Sequence, residues 1–313
     1  MDGHILDLSG GVSIPKAPPG YKSGFIGIIG RPNVGKSTLM NQLVGQKISI
    51  TSPVAQTTRN RLRGILTTEE AQIIFVDTPG IHKPHHQLGK VLVQNAKSAI
   101  NSVDVVLFVV DGSQEAGAGD RYIIDLLNRS ETRVVLGLNK IDQPLTSQQV
   151  DSSYTQLVPH QWQMLKFSAL SGDGIEPLKQ LLTELLETGP YYYPPDLVTD
   201  QPERFIMGEL IREQILLLTH EEVPHSVAIA IDQVEEAPTI TRIFATIHIE
   251  RSSQKGILIG KGGSMLKAIG SGAREQIQKL IAGKVYLELF VKVQPKWRQS
   301  SFRLAELGYR VEE

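Results

Sequence analysis

The run Gly30-Arg31-Pro32-Asn33-Val34-Gly35-Lys36-Ser37 satisfies the pattern GxxxxGK[ST]. Glycines let successive backbone N–H groups converge on phosphate oxygens, and the helix that follows such a loop adds positive potential at its N-terminus. In that pattern Lys36 reaches the β- and γ-phosphates, Ser37 offers its hydroxyl to Mg²⁺, and Thr38 completes the phosphate-binding set. Asp77-Thr78-Pro79-Gly80 ends an apolar run, where Asp77 can hold the metal through water and the Gly80 N–H can sense a γ-phosphate. Asn139-Lys140-Ile141-Asp142 ends another. The Asp142 carboxylate only accepts hydrogen bonds, so it suits the N1–H and exocyclic NH₂ of guanine, whereas adenine would leave a buried carboxylate unpaired. Ser168-Ala169-Leu170 then closes a base pocket through backbone N–H groups. A lone NKxD is weak, but about 100 residues after a phosphate loop, each at a strand end, it is strong. In this order the clusters point to GTP or GDP bound with Mg²⁺.

Between the first two clusters lies Pro53-Val54-Ala55-Gln56-Thr57-Thr58-Arg59. A threonine here must swing in to ligate Mg²⁺ when a γ-phosphate is present, giving a loop ordered by the triphosphate and released on hydrolysis. Both Thr57 and Thr58 satisfy that requirement. Asp111 and Glu115, at the end of a further apolar run, read as helix-start and solvating residues, and His82, His85 and His86 as solvated loop histidines.

These residues need a scaffold that brings strand ends together. Short β-branched runs at 25–30, 71–77, 103–111, 133–140 and 164–169 alternate with helical patterns at 37–45, 86–101, 119–130 and 175–188. Near-continuous apolar strands are buried on both faces, as in a mostly parallel, doubly wound α/β sheet covered by helices. Residues 1–20 read as a flexible tail, 21–188 as the nucleotide domain, and the Pro/Tyr-rich stretch 189–201 as a connector whose Tyr191, Tyr192 and Tyr193 pack on a domain surface.

From 202 to 313 the order changes to helix, two alternating strands, two helices around Ile259-Gly260-Lys261-Gly262-Gly263, and a last strand. A GxxG turn between two helices is the backbone clamp of an RNA-binding KH domain, and this element order is the type II α+β arrangement. Lys255, Lys261 and Lys267 surround the turn, and Lys292, Lys296 and Arg298 follow the last strand. Trp297 among them either stacks a base or caps the core.

Composition at first argues against a nucleic-acid partner. The 313 residues carry 32 basic and 33 acidic side chains, a net charge of −1. From Arg242 to Arg303, however, twelve Lys/Arg face three Asp/Glu, a net +9, which leaves −10 on the remainder. The near-zero total is a cancellation, and the basic stretch is an electrostatic footprint for phosphates. No cysteine is present, so disulfides and thiolate metal sites are excluded. The longest apolar run, Val105 to Val110, is far short of the ~18–20 residues of a membrane helix, and a cytoplasmic protein is expected.

The series GRPNVGKSTLMNQLVGQKISITS, AQTTR, VDTPGIH, NKID and SAL resembles the Era family of translation-associated GTPases, and LELFVKVQPKW (287–297) and LGY (307–309) resemble its C-terminal KH domain. The resemblance spans residues 22 to 313 and implies a P-loop GTPase that binds the 3′ end of 16S rRNA and assists assembly of the 30S subunit. It favours Thr58, the second threonine of the TTR element, as the metal ligand. It also implies a monomer, with peripheral contact at the inner membrane in some members. Ras-like proteins place a water-positioning Gln after DTPG, where this chain has Ile81, so slow unaided hydrolysis is expected. Relatives with that replacement use K⁺ near the phosphate loop, held in part by an Asn matching Asn33; the same residue also reads as an ordinary turn former. Lys36, Thr58, Gly80 and Asn33 are thus the expected catalytic set. The alternative is a membrane-associated signalling GTPase whose KH domain docks a partner. A small-molecule phosphotransferase is disfavoured by NKID.

Overall fold

The computed structural model describes residues 14–54, 57–81, 87–143, 148–281 and 283–309. His82, His85 and His86 lie outside them, as does most of the N-terminal segment. The first half contains β1 Lys22–Ile29, α1 Lys36–Val44, β2 Leu62–Thr67, β3 Ala71–Asp77, α2 Gln87–Asn101, β4 Val105–Asp111, α3 Ala118–Leu127, β5 Arg133–Asn139, α4 Gln148–Thr155, β6 Gln163–Lys166 and α5 Ile175–Leu185. These strands form one sheet in the order β2-β3-β1-β4-β5-β6, parallel except for β2 against β3. Every residue of β3 and β4 is buried, as the apolar runs require. Leu39, Met40 and Leu43 of α1 and Leu178 and Leu182 of α5 cover one face; α2 and α3 cover the other through Ala96, Ile100, Ile123 and Ile124.

The edge strand β2 and the short helix α4 are elements that sequence patterning does not reveal. The LRGILT run of β2 has no long apolar stretch, because an antiparallel edge strand need not be buried on both faces. The ends of β1, β3, β4 and β5 lie together, the crevice where open α/β sheets bind ligands.

The connector packs on the first sheet. Tyr191 lies against Tyr21 (centroids 4.6 Å apart) and Tyr192 against Phe25 (5.1 Å), while the Gln72 amide donates to the Tyr193 carbonyl (2.9 Å).

The second half contains α6 Glu203–Leu218, the short α7 Val223–Ser226, β7 Ala228–Ala237, β8 Ile240–Ile249, α8 Ser252–Ile259, α9 Ser264–Ile277, β9 Lys284–Val293 and α10 Ser301–Glu306. Its sheet runs β7-β8-β9, with β7 antiparallel and β9 parallel to β8. Ile211 and Ile215 of α6, Ile269, Ala273 and Ile277 of α9, and Ile243 and Ile247 of β8 are fully buried together. Each of these isoleucines contributes about 1.5–3 kcal/mol relative to exposure. A small apolar cluster joins the two halves: Leu88 and Leu92 of α2 pack with Ala228, Trp297, Leu304 and Tyr309. No helix among the described residues is long and apolar enough to cross a membrane.

Candidate functional site

The phosphate loop leaves β1 at Gly30 and enters α1 at Lys36. A Cβ on Gly30 would sit 2.3 Å from the Val109 carbonyl oxygen, so only glycine permits this path. Asn33 (φ 64°) and Gly35 (φ 94°) both take left-handed conformations, which turn the loop around the space ahead of α1. Lys36 is buried and folds its ammonium back onto the Gly30 and Arg31 carbonyls at 3.3 and 2.9 Å. Burial pushes the Lys36 ammonium down to about 8, against the opposing pull of Asp77. Arg31 turns away from the loop to pair with the buried Asp120 of α3 (2.7 Å). Any contribution of Arg31 to phosphate binding is therefore through its backbone, and Pro32, which lacks an N–H, only shapes the loop.

Asp77 is fully buried at the end of β3. Its Oδ2 accepts from Ser37 Oγ (3.0 Å), Thr58 Oγ1 (3.1 Å) and Ser49 Oγ (3.3 Å), while its Oδ1 has no hydrogen-bond partner. Ser37 Oγ and Thr58 Oγ1 are 2.8 Å apart. Burial raises the Asp77 pKa, opposed by Lys36 and the three hydroxyl donors. Two hydroxyls and a buried carboxylate with an unsatisfied oxygen are a hard-oxygen donor set that fits Mg²⁺. Thr57, the other candidate, instead donates its hydroxyl to the Val54 carbonyl (2.7 Å). The loop geometry thus separates two threonines that composition alone leaves equivalent.

Gly80 lies against the phosphate loop, where a Cβ would meet Pro32 N at 2.7 Å. The neighbouring Ile81 is 2% exposed and sits in the core beneath α2, and its N–H donates to the Gly30 carbonyl (3.2 Å). Its side chain does not face the phosphate cavity. That cavity, about 570 Å³, is lined by Asn33, Gly35, Lys36, Ser37, Thr38, Thr58 and Gly80, together with Leu217 from α6. Thr78 donates its hydroxyl to the Ile28 carbonyl (3.1 Å) and so acts within the sheet.

A second cavity of about 410 Å³ continues past Gly35 and Thr38 to Asn139, Lys140, Asp142, Ala169 and Leu170. Asn139 is buried; it donates to the Val34 carbonyl (2.7 Å) and accepts from the Ala169 N–H (2.9 Å), tying the phosphate loop to the base end. Lys140 (φ 71°) pairs with Asp111 Oδ2 at 2.6 Å. Burial alone would raise the Asp111 carboxyl, but the bonds from Lys140 and Ser113 together hold it below the usual range. Asp142 is exposed, not buried as expected, because it stands at the open end of the cavity; the Ser168 hydroxyl donating to it at 2.5 Å holds its pKa below the ordinary value. An ionised, solvent-facing acceptor at the rim of this cavity suits the two N–H donors of guanine. Leu170 is 77% exposed beside it.

Around the GxxG turn the character reverses. Gly260 (φ 71°) follows α8, and a Cβ there would meet Met265 N at 2.8 Å. Gly262 (φ 59°) and Gly263 (φ 81°) face open space. Lys261, Lys267, Lys292 and Lys296 are exposed, and Ile259 is half-buried at the end of α8. Lys255 lies over the ring of the exposed Phe290, 6.0 Å from its centroid. The arrangement offers cations and an accessible backbone for a phosphodiester chain.

Two expectations for this face are corrected. Trp297 is fully buried, donates from its indole to the Ser226 carbonyl (2.9 Å) and stacks on Tyr309 (5.8 Å), so it is a core residue and not a base-stacking platform. Arg298 is committed to Glu250 and to the His225 carbonyl. Both lie in a basic stretch, and only the fold shows which members turn inward.

Sequence patterning also leaves several site residues unmarked. Ser49 acts on Asp77 behind the motif residues, and Asp111, expected as a helix-start or solvating residue, is instead buried and paired with Lys140. Arg212 and Glu213 of α6 bond to Thr57 and Thr51, and Arg59 reaches the carbonyls in and just after α7. Only the placement of Arg59 directly after Thr58 hinted at its position.

The chain matches two family models: one described as 50S ribosome-binding GTPase over residues 25–140, and one described as KH domain over residues 222–298. It is 79% identical to GTPase Era of Nostoc sp. across all of this chain and 97% of that protein. It is 73% identical to GTPase Era of Rippkaea orientalis across 96% of both. Among solved structures, Era in complex with MgGDPNP and nucleotides 1506–1542 of 16S ribosomal RNA has a TM-score of 0.88 at 37% identity, covering 92% of this chain and 99% of that one. A variant of Aquifex aeolicus Era bound to GDP and aluminium fluoride gives the same values. With its nucleotide-loop geometry, its KH turn and this likeness along the whole chain, the protein belongs to the Era family of GTPases.

Proposed function

We propose that this GTPase is a switch that binds the 3′ end of 16S rRNA and assists assembly of the 30S subunit, as a cytoplasmic monomer. Residues 21–188 carry the nucleotide site, 189–201 connect, and 202–313 carry the RNA site, with Lys255, Ile259, Gly260, Lys261, Gly262, Gly263, Lys267, Lys292 and Lys296 along the binding face. The observation that carries the switch is the convergence of Ser37, Thr58 and Asp77, with Asp77 Oδ1 unpartnered. These three side chains would hold Mg²⁺, which neutralises charge on the β- and γ-phosphates when bound. Lys36 exchanges the Gly30 and Arg31 carbonyls for phosphate oxygens, Gly80 senses the γ-phosphate, and Asn139, Lys140 and Asp142 select guanine, with Ala169 closing the base pocket. Thr58 stands on Ser37 and Asp77 in this arrangement; a γ-phosphate with Mg²⁺ would hold it there and GDP would release it, so GTP favours the RNA-competent arrangement. By linkage, RNA favours GTP over GDP by the same factor.

The likeness to an Era–16S rRNA complex supports the RNA assignment. Binding of a 3′-end 16S fragment is to be measured with GDP and with a non-hydrolysable GTP analogue, for the wild type and Gly262→Asp. Tighter binding with the analogue, lost in the variant through a carboxylate beside the phosphodiester, is expected. Binding that is independent of nucleotide and indifferent to the variant overturns the proposal.

Unaided hydrolysis is slow, because Ile81 is buried in the core and no glutamine stands in its place to orient water. Asn33, whose amide donates to the Pro53 carbonyl (3.0 Å), lies at the junction of phosphate loop and metal loop, where K⁺ stimulates the reaction. Equal rates in Na⁺ and K⁺, with no effect of Asn33→Ala, would discard that activator.

A further inference from the structure

The segment carrying Thr58 is bonded to the second half of the molecule at both ends. At its start, the Thr51 N–H donates to Glu213 Oε1 (2.9 Å), and Lys47 pairs with the other oxygen of the same buried carboxylate (2.6 Å). At its end, the Thr57 carbonyl accepts from Arg212, which is itself buried and held by Glu209 Oε1 (2.8 Å). Arg212 and Glu213 are consecutive on α6. One turn further along, Leu217 of the same helix lines the phosphate cavity.

Arg59 completes the arrangement. Its guanidinium is buried in the second half, donating to the carbonyls of Val227 (2.5 Å), Pro224 (3.2 Å) and His225 (3.3 Å), with Tyr309 Oη at 3.5 Å. The carbonyls lie in and just after the short α7, where helix-end acceptors lack partners of their own. Thr58 and Arg59 are neighbours in sequence, so a hydroxyl on Asp77 and Ser37 stands one residue from a cation plugged into the other half.

We infer that α6 and the Arg59 plug form a clamp that positions Thr58, making the second half of the molecule part of the GTPase site. Arg59, Arg212 and Glu213 are positioning residues: they act on the metal and γ-phosphate through Thr58. α6 also packs on α9, the helix that follows the glycine turn. Gln214, next to Glu213, packs so closely on α9 that a Cβ at Gly272 would sit 2.3 Å from its Oε1. α9 begins directly after Gly263. The inference rests on Thr58 being the Mg²⁺ ligand and names the side chains that carry its position across the molecule.

The test is equilibrium binding of Mg²⁺ with GDP and with a non-hydrolysable GTP analogue, for wild type, Thr58→Ala, Arg59→Met, Glu213→Ala and the Thr58→Ala/Arg59→Met pair. GDP does not use Thr58, so a clamp acting through Thr58 lowers affinity for the analogue alone. A coupling of typical size corresponds to a loss of roughly 5–150-fold. Arg59→Met and Glu213→Ala are each expected to lose analogue affinity in that range while GDP changes by less than about twofold. The double variant is expected to lose no more than Thr58→Ala, because the clamp has nothing left to position. Equal losses for both nucleotides, or fully additive losses in the double variant, overturn the clamp. If Thr58→Ala itself leaves the preference for the analogue unchanged, the reading of Thr58 fails and the clamp falls with it. If Arg59→Met does not fold, Glu213→Ala, which leaves the plug intact, carries the same measurement.

Discussion

The phosphate loop and the GxxG turn both rest on glycines in left-handed conformations, yet their surroundings are opposite. A Cβ at Gly35 would lie 2.3 Å from the Asn139 amide, whereas at Gly262 it would meet nothing within 4 Å. Around Gly35 the polar groups are buried and bonded to one another: Lys36 to loop carbonyls, Asp77 to three hydroxyls, Asn139 to Val34. Around Gly262 the lysines are exposed and the turn is open. At the first site the buried polar groups hold one another in place, so little ordering opposes binding and wrong ligands leave buried groups unpaired. The second is an electrostatic surface with an accessible backbone, and binding of phosphates to such a surface comes from charge neutralisation and falls with salt.

The largest expected effect breaks selectivity at the organised site. Asp142→Asn places an N–H₂ group against the donors of guanine, and a site built for hydrogen bonding rejects such a mismatch by roughly 10⁴-fold. Titration with guanine nucleotides should show that loss while the melting temperature stays unchanged, since Asp142 is exposed. A loss under tenfold would mean the base end is no more selective than the open turn.

Next in size is an aromatic contrast within the basic stretch. Trp297→Ala removes a fully buried side chain that joins α2 to the C-terminal segment, and should cost about 3–5 kcal/mol in denaturant melts. Phe290→Ala, at 65% exposure, should change stability by less than about 0.5 kcal/mol. Similar costs for both would erase the distinction between inward and outward members of this face.

That contrast also marks where sequence reading stops. The parallel strands, the phosphate loop, DTPG and NKID were legible because apolar runs and motif spacing encode strand ends directly. The α-β-β-α-α-β order was legible for the same reason. Trp297 and Phe290 were not separable, because both sit among lysines and burial there depends on where the chain turns after β9. The edge strand β2 carries Arg63 and Gly64 and so lacks the apolar signature of its neighbours. Arg59 and Arg212 read as surface cations by type, and only contacts more than 150 residues apart in sequence reveal them as buried.

A smaller effect tests the glycines themselves. Alanine in a left-handed conformation costs about 1–2 kcal/mol at either position. Gly262→Ala should show only that cost in stability and leave nucleotide affinity intact. Gly35→Ala must also displace Asn139, so it should weaken GDP and GTP alike by more than tenfold in the same titration. If the two substitutions behaved alike in nucleotide binding, the crowding at Gly35 would have no functional weight.

The smallest effect lies where the two halves meet. His225 is half-buried; burial first, then the Arg59 and Arg298 guanidiniums, push its pKa below the ordinary 6.5. Glu250, the partner of Arg298, is the nearby counter-charge. Because the folded pKa is depressed, the unfolded chain binds the proton more readily. Stability is therefore fully present above about pH 6.5 and falls as pH drops toward the folded value. His248 on β8 shifts the same way, so the wild-type slope alone does not assign the effect. His225→Gln keeps the His225 carbonyl that accepts from Arg59 and Arg298 but removes the titrating ring. Melting temperatures from about pH 7.5 to about 5.5 should fall less steeply in the variant than in the wild type. Identical slopes would move the titration to His248 or to the carboxylates, and would leave the Arg59 plug insensitive to protonation beside it.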